Sequence, residues 1–242
     1  MIGVVAALAA EARALESVAW GCGPACWRAP LADLHAGPLL AVSGMGCAAA
    51  EQAARRLIDA GASGLVSFGL AGGLDPEIGA GDIVLPSEVI SRDGARFPAS
   101  QEWRERLGAA VAARMPVVTG SLLTAAQAID SVEDKAAAFR ETGAVAVDME
   151  SLAVAQVAAA HHLPFIAVRA IVDTAADALP RAVLAASESG HIRIWRLMGG
   201  LALAPAELAA LFRLAQRYRA AMRSLAAIAG ALAPLAAGRH AA

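Results

Sequence analysis

"GAVAVDMESLAVAQV", residues 143–157, sets the central problem of this chain. After Gly143, the apolar run 144–147 reads as a short strand, and the residues from Glu150 to His162 read as an apolar helix. Between them stand Asp148, Met149 and Glu150. Two carboxylates and a thioether thus sit where a strand leaves the core. A strand with no polar face, followed at once by an apolar helix, belongs in a sheet covered on both sides.

The same alternation runs outward in both directions. Residues 2–8 read as a strand, followed by a helix from about Ala9. Residues 31–36 and 38–45 read as paired strands around Gly37, and 48–61 as a helix stopped by Gly61. Strands are expected at 64–69 and 82–90, a helix at 100–114 and a strand at 116–123. A helix at 132–143 precedes the opening stretch, and a strand at 164–172 follows it. Strands between helices predict a three-layer α/β/α domain with a mostly parallel sheet. Ligands of such sheets bind beyond the carboxyl ends of the strands. All 242 residues are expected to form a single domain, with a core of about 1–190 and a C-terminal helical extension of about 191–242.

Composition narrows the function. Hydrophobic residues make up 58% and charged residues 17%, and net charge is −2, so no global field calls for nucleic acid. Cys22, Cys26 and Cys47 lack metal-type pairing and read as reduced cytoplasmic thiols. The N-terminus has no basic stretch and meets Glu11 early, unlike a signal peptide. No cofactor or metal is called for. The charge is uneven, however: residues 1–190 carry a net −8, and residues 191–242 a net +6, with seven Arg and only Glu207 against them.

Four polar features fall at predicted strand ends: Glu11, the glycine cluster 69–82 with Gly72, Met149-Glu150, and the segment 168–177 with Asp173. Each has a plain alternative, since acids favour helix caps and first turns and glycines favour turns. Together, three carboxylates around a glycine loop suit a polyhydroxylated ligand.

The set "IGVVAALAAEA" (2–12), "SGMGCAAA" (43–50), "GLAGGL" (69–74), "GDIV" (81–84), "VDMES" (147–151) and "PFIAVRAIVDTAAD" (164–177) resembles the purine nucleoside phosphorylase / methylthioadenosine–adenosylhomocysteine nucleosidase superfamily. The resemblance implies the nucleoside phosphorylase fold and cleavage of a purine N-ribosyl bond with release of adenine. It assigns Glu150 to the ribose hydroxyls, Met149 to the sugar, and Asp173 to the acid at N7 of the leaving base. Arg169 is the residue that orders the site, and Glu11 positions the attacking water. Asp148 is not expected to be catalytic. Leu123 stands where a residue stacking on the base is common. Ser67 and Leu70 stand where phosphorolytic relatives place phosphate ligands, which favours water over phosphate, although Arg92 or Arg96 could restore a phosphate site.

Within the superfamily the chain resembles the hopanoid-biosynthesis branch, through 68–86, 92–100, 143–151, 177–194 and the tail 203–225. That likeness implies adenosylhopane as substrate. Phosphorolysis, methylthioadenosine/adenosylhomocysteine nucleosidase activity and nucleoside or lipid binding without turnover are the alternatives. It also implies a homodimer. In the tail, apolar positions Leu211, Phe212, Ala215, Tyr218, Met222 and Leu225 form a helical stripe flanked by Arg213, Arg217, Arg219 and Arg223. Two readings fit: a helix packed on the domain or a partner subunit, or one lying on an anionic membrane.

Overall fold

A computed structural model of the chain describes residues 1–16, 39–179, 205–232 and Leu235, with backbone alone for 205–211. The expected strand at 31–36, Cys22, Cys26 and most of 177–194 lie outside the described residues.

The centre is three parallel strands: β1 (Gly3–Ala6), β3 (Leu65–Gly73) and β10 (Phe165–Asp173). Residues 3–6 pair with 65–68, and 165–171 with 65–71. Strand β2 (Leu39–Val42) extends the sheet beyond β1, also in parallel. Nearly every residue of β3 and β10 is buried, as expected for strands covered on both faces. One face carries α2 (Cys47–Asp59) and α5 (Ser151–Ala160). The other carries α1 (Ala9–Glu16), α3 (Gln101–Val111) and a long helix, α6 (Pro205–Ala229). The fold is a three-layer α/β/α with a mixed, mostly parallel sheet.

The sheet differs from the sequence expectation in three places. The glycine cluster is not a loop at its start, because β3 runs on through Gly69 to Gly73. Beyond β1, its far end exchanges neighbours and pairs antiparallel with β9 (Ala146–Asp148), Gly72 opposite Val147. The expected strand 82–90 is broken at Pro86, which cannot donate to a ladder. Its halves, β4 (Ile83–Val84) and β5 (Glu88–Ile90), join β10 and β8 (Ser121–Thr124) respectively. Residues 116–123 likewise divide into β7 (Val117–Val118) and β8, and β6 (Arg96–Pro98) edges the sheet beside β5. Helix α4 (Val132–Thr142) closes the end near β8 and β9.

Helix α6 packs on the domain. Ala221, Leu225 and Ile228 are buried with Ile2, Val4 and Phe68 in the core on that face. Of the predicted apolar stripe, Leu225 is buried and Met222 packs against the core, while Phe212 is exposed. Arg217 pairs with Asp177. The first reading of the tail therefore describes these residues. Among the described residues, no helix is long and apolar enough to cross a membrane.

Candidate active site

The strand exchange at Gly72 brings the carboxyl ends of β1, β3, β9 and β10 to one pocket of about 200 Å³. Glu11, Gly72, Met149, Glu150 and Asp173 line it together, with Leu8, Met45, Leu70, Ile129 and Leu179 supplying apolar walls. Five of the seven site residues expected from sequence thus meet in one cavity.

Glu11 enters from the first turn of α1. Its Oε2 accepts from the Leu8 backbone N–H at 2.9 Å and its Oε1 from that of Leu70 at 3.0 Å. The carboxyl is buried, and burial raises its pKa, with the nearby Arg169 charge and the backbone donors pulling it back. The residue that makes room is Gly69. A Cβ there would lie 2.6 Å from both Glu11 Oε1 and Arg169 Nη1, so any larger residue would push the two apart.

Glu150 begins α5 but makes no capping bond to it. The cap comes from Asp148, whose Oδ2 accepts from the Ser151 N–H at 3.0 Å. This division of labour sets aside the plain alternative of a helix-start acid. Glu150 turns instead to Gly46, whose N–H donates to Oε1 at 2.8 Å across 104 positions of sequence. Gly46 has φ +92°, a conformation that glycine adopts without strain.

Asp148 and Arg169 form the buried floor. Arg169 Nε and Nη2 both donate to Asp148 Oδ2, at 2.9 and 2.6 Å. Nη2 also reaches Ser67 Oγ at 2.6 Å and Ser151 Oγ at 3.0 Å, while Thr124 Oγ1 donates to Asp148 Oδ1 at 2.7 Å. Arg169 does not line the pocket. It sits behind the carboxylates, bonded to Asp148, and Ser67 accepts from it rather than facing the pocket.

One guanidinium thus faces Glu11, Asp148 and Glu150, and they cannot all ionise cheaply in a buried site. Burial, joined by repulsion from Asp148, raises the Glu150 pKa to about 7, against the pull of Arg169 and the Gly46 N–H. The consequence for stability follows from the sign. A carboxyl whose folded pKa exceeds its unfolded value stabilises the fold at low pH, and that contribution is lost as pH rises through about 7. From a usual 4.5, the difference amounts to about 3 kcal/mol. Glu150→Gln should therefore melt higher than the wild type at pH 8, with the gap closing towards pH 5. A gap between the two melting temperatures that does not change with pH would contradict this.

Asp173 ends β10 just past a register shift that sets it opposite Gly72. It is buried, and burial raises its pKa despite the lowering effect of Lys135, with which it forms a buried ion pair. Sequence reasoning missed Lys135 because a lone lysine in a helix reads as a solvated surface charge. A signal was present: Lys135 shares one face of α4 with Ala138, both fully buried, where an apolar residue belongs.

Leu123 is a correction. It is fully buried in the small cluster of Leu74, Ile90, Ala138, Ala144 and Val147 and does not reach the pocket. Alternation along β8 turns it into the core. Arg92 and Arg96 also lie elsewhere. Both are exposed, and Arg96 pairs with Glu88 on the sheet edge. Among the described residues no Lys or Arg lines the pocket, and no cluster suits a metal ion.

Residues 2–189 match the model of the phosphorylase superfamily. A 5′-methylthioadenosine/S-adenosylhomocysteine nucleosidase of a Marinomonas species (strain MWYL1) is 30% identical over 161 residues, 56% of this chain and 69% of that protein. Its counterpart in Mycobacterium bovis is 29% identical over 177 residues, 57% of this chain and 69% of that protein. The structure of the Neisseria meningitidis nucleosidase of the same name, in complex with methylthio-immucillin-A, superposes with a TM-score of 0.69 at 19% identity, covering 96% of this chain and 98% of that one. That superposition concerns the fold. These relatives give no support to the hopanoid branch. With the family model spanning most of the chain, the protein belongs to the phosphorylase superfamily and is a glycosyl-bond-cleaving enzyme.

Proposed function

We propose that the enzyme hydrolyses the N-ribosyl bond of an adenine nucleoside carrying a small 5′-thio substituent, of the 5′-methylthioadenosine or S-adenosylhomocysteine class. The observation that carries this reading is the convergence of Glu11, Glu150 and Asp173, all buried, with Met149 on one pocket that no cation lines among the described residues. Glu150 accepts hydrogen bonds from the ribose hydroxyls, and Met149 lies against the sugar. Asp173 gives a proton to N7 as the C1′–N9 bond breaks. Glu11 takes a proton from the water that attacks C1′. Transferring phosphate instead of water would bring in a dianion. The described walls offer four carboxyl groups, Glu11, Asp148, Glu150 and Asp173, and no cation to receive it, so water is favoured on electrostatic grounds.

The relatives named above move the leading substrate from adenosylhopane to small thionucleosides. A pentacyclic lipid would have to extend beyond the described walls of the cavity.

The test is release of adenine from 5′-methylthioadenosine, followed by chromatography with and without phosphate. Adenine and free methylthioribose are expected in both. An absolute need for phosphate, with a 1-phosphosugar as product, would overturn hydrolysis. Turnover confined to adenosines with a long apolar 5′ chain would restore the lipid substrate.

A further inference from the structure

Lys135 has no part in the chemistry described so far, yet its placement is costly. Its side chain is fully buried, whereas a lysine on an ordinary helix face keeps its ammonium in water. All three of its donors are used. Nζ donates to Asp173 Oδ2, and at 2.9 Å to each of the backbone carbonyls of Thr174 and Asp177. The same short segment is gripped from the other side. Asp177 Oδ2 accepts from the Thr174 N–H at 2.9 Å and its hydroxyl at 2.6 Å, and pairs with Arg217 of α6. The carboxyl assigned to the leaving base therefore hangs on a segment fixed by cations from two helices, and Lys135 is the one that bonds to it.

We propose that Lys135 is a positioning residue for the leaving-group acid: it occupies one oxygen of Asp173, leaves the other for the purine, and stabilises the carboxylate that remains after proton transfer. This rests on the role of Asp173 proposed above. In the step, the C1′–N9 bond breaks and its electron pair moves onto the purine. The Asp173 O–H bond breaks and the proton goes to N7. Asp173 is left as a carboxylate beside an ammonium that keeps all three protons. Attacking water adds hydroxide to C1′ and gives its proton to Glu11; exchange with solvent then returns a proton to Asp173 and removes the one on Glu11. Facing Asp173 are Lys135 from α4, Arg217 from α6 through Asp177, and Glu11 and Glu150 across the pocket. Burial holds the proton on Asp173, while Lys135 first and then Arg217 favour its release.

Removing the ammonium should make Asp173 a weaker acid that stays protonated to higher pH. For Lys135→Met, kcat/KM on 5′-methylthioadenosine should fall about 10–100-fold at neutral pH. The basic limb of its pH profile should move up by about one unit. Lys135→Arg, which keeps the charge, should keep the limb in place. If the Met variant does not fold, Lys135→Gln carries the same expectation, since it retains donors for the two carbonyls but no charge. Lys135→Met added to Asp173→Asn should cost little more than Asp173→Asn alone, because the two act as a unit. A loss that is even across pH, with the limb unmoved in the Met or Gln variant, would reject the proposal and leave the function standing. An equal shift in Lys135→Arg would also reject it. Full turnover by Asp173→Asn would instead remove the reading beneath it.

Discussion

Asp173→Asn is expected to lower adenine release about 10²–10⁴-fold, the range typical of a positioned general acid. An asparagine at the end of β10 can still donate a hydrogen bond towards N7, but it has no proton to transfer as charge gathers on the base. The pH dependence should change with it. Burial lets the wild-type carboxyl hold its proton to higher pH than an ordinary aspartate, with Lys135 opposing. Activity that needs the protonated form falls as pH rises through that pKa, and in the variant this limb should vanish. The substitution also strips Lys135 of its anion while sparing its two carbonyl partners, so some thermal stability should be lost. Kinetics on the folded fraction, verified by melting, separate the two effects. A folded variant with wild-type turnover would remove Asp173 from the mechanism.

What could be read in the sequence divides along a physical line. Strands and helices were legible where a local pattern decides them. The strands expected at 144–147 and 164–172 and the helix expected at 48–61 fall at Ala146–Asp148, Phe165–Asp173 and Cys47–Asp59, within two residues at each end, because apolar runs and glycine stops are local signals. The carboxylates at strand ends were legible too, since sheet topology delivers such ends to one place. Illegible were features that only tertiary pairing creates. That β3 continues through five residues of the glycine cluster depends on two distant partners: β10, about 100 positions away, along 69–72, and β9, some 74 positions away, at Gly72 and Gly73. That Asp148 caps α5 and holds Arg169, freeing Glu150, could not be told from two adjacent acids. Leu123 was placed by analogy with a position, and the direction of one side chain on a short strand decided otherwise. Lys135 looked like surface until the core closed around it.

The Asp148–Arg169 pair leads to the second large effect, on folding. Arg169→Met should destabilise the protein by about 3–5 kcal/mol, the usual cost of breaking a buried ion pair by removing one member. For a chain of this size that lowers the melting temperature by about 10 °C. The guanidinium is 2% exposed and Asp148 5%, so water cannot take over the lost bonds. Its removal leaves Asp148 with Thr124 Oγ1 and the Ser151 N–H alone, and leaves Ser67 and Ser151 without their shared donor. It also takes the compensating charge away from Glu11 and Glu150, whose pKa values it lowers. The loss should therefore be steeper at pH 8 than at pH 5, because carboxyls that can protonate no longer need the cation. Asp148→Asn combined with Arg169→Met should recover part of the stability, since a buried pair replaced on both sides leaves no orphaned charge. Melting curves of the two single variants and the double variant measure that coupling. A double variant no more stable than Arg169→Met alone would mean that packing around the guanidinium stem, rather than the charge it sets against Asp148, is what the floor of the site depends on.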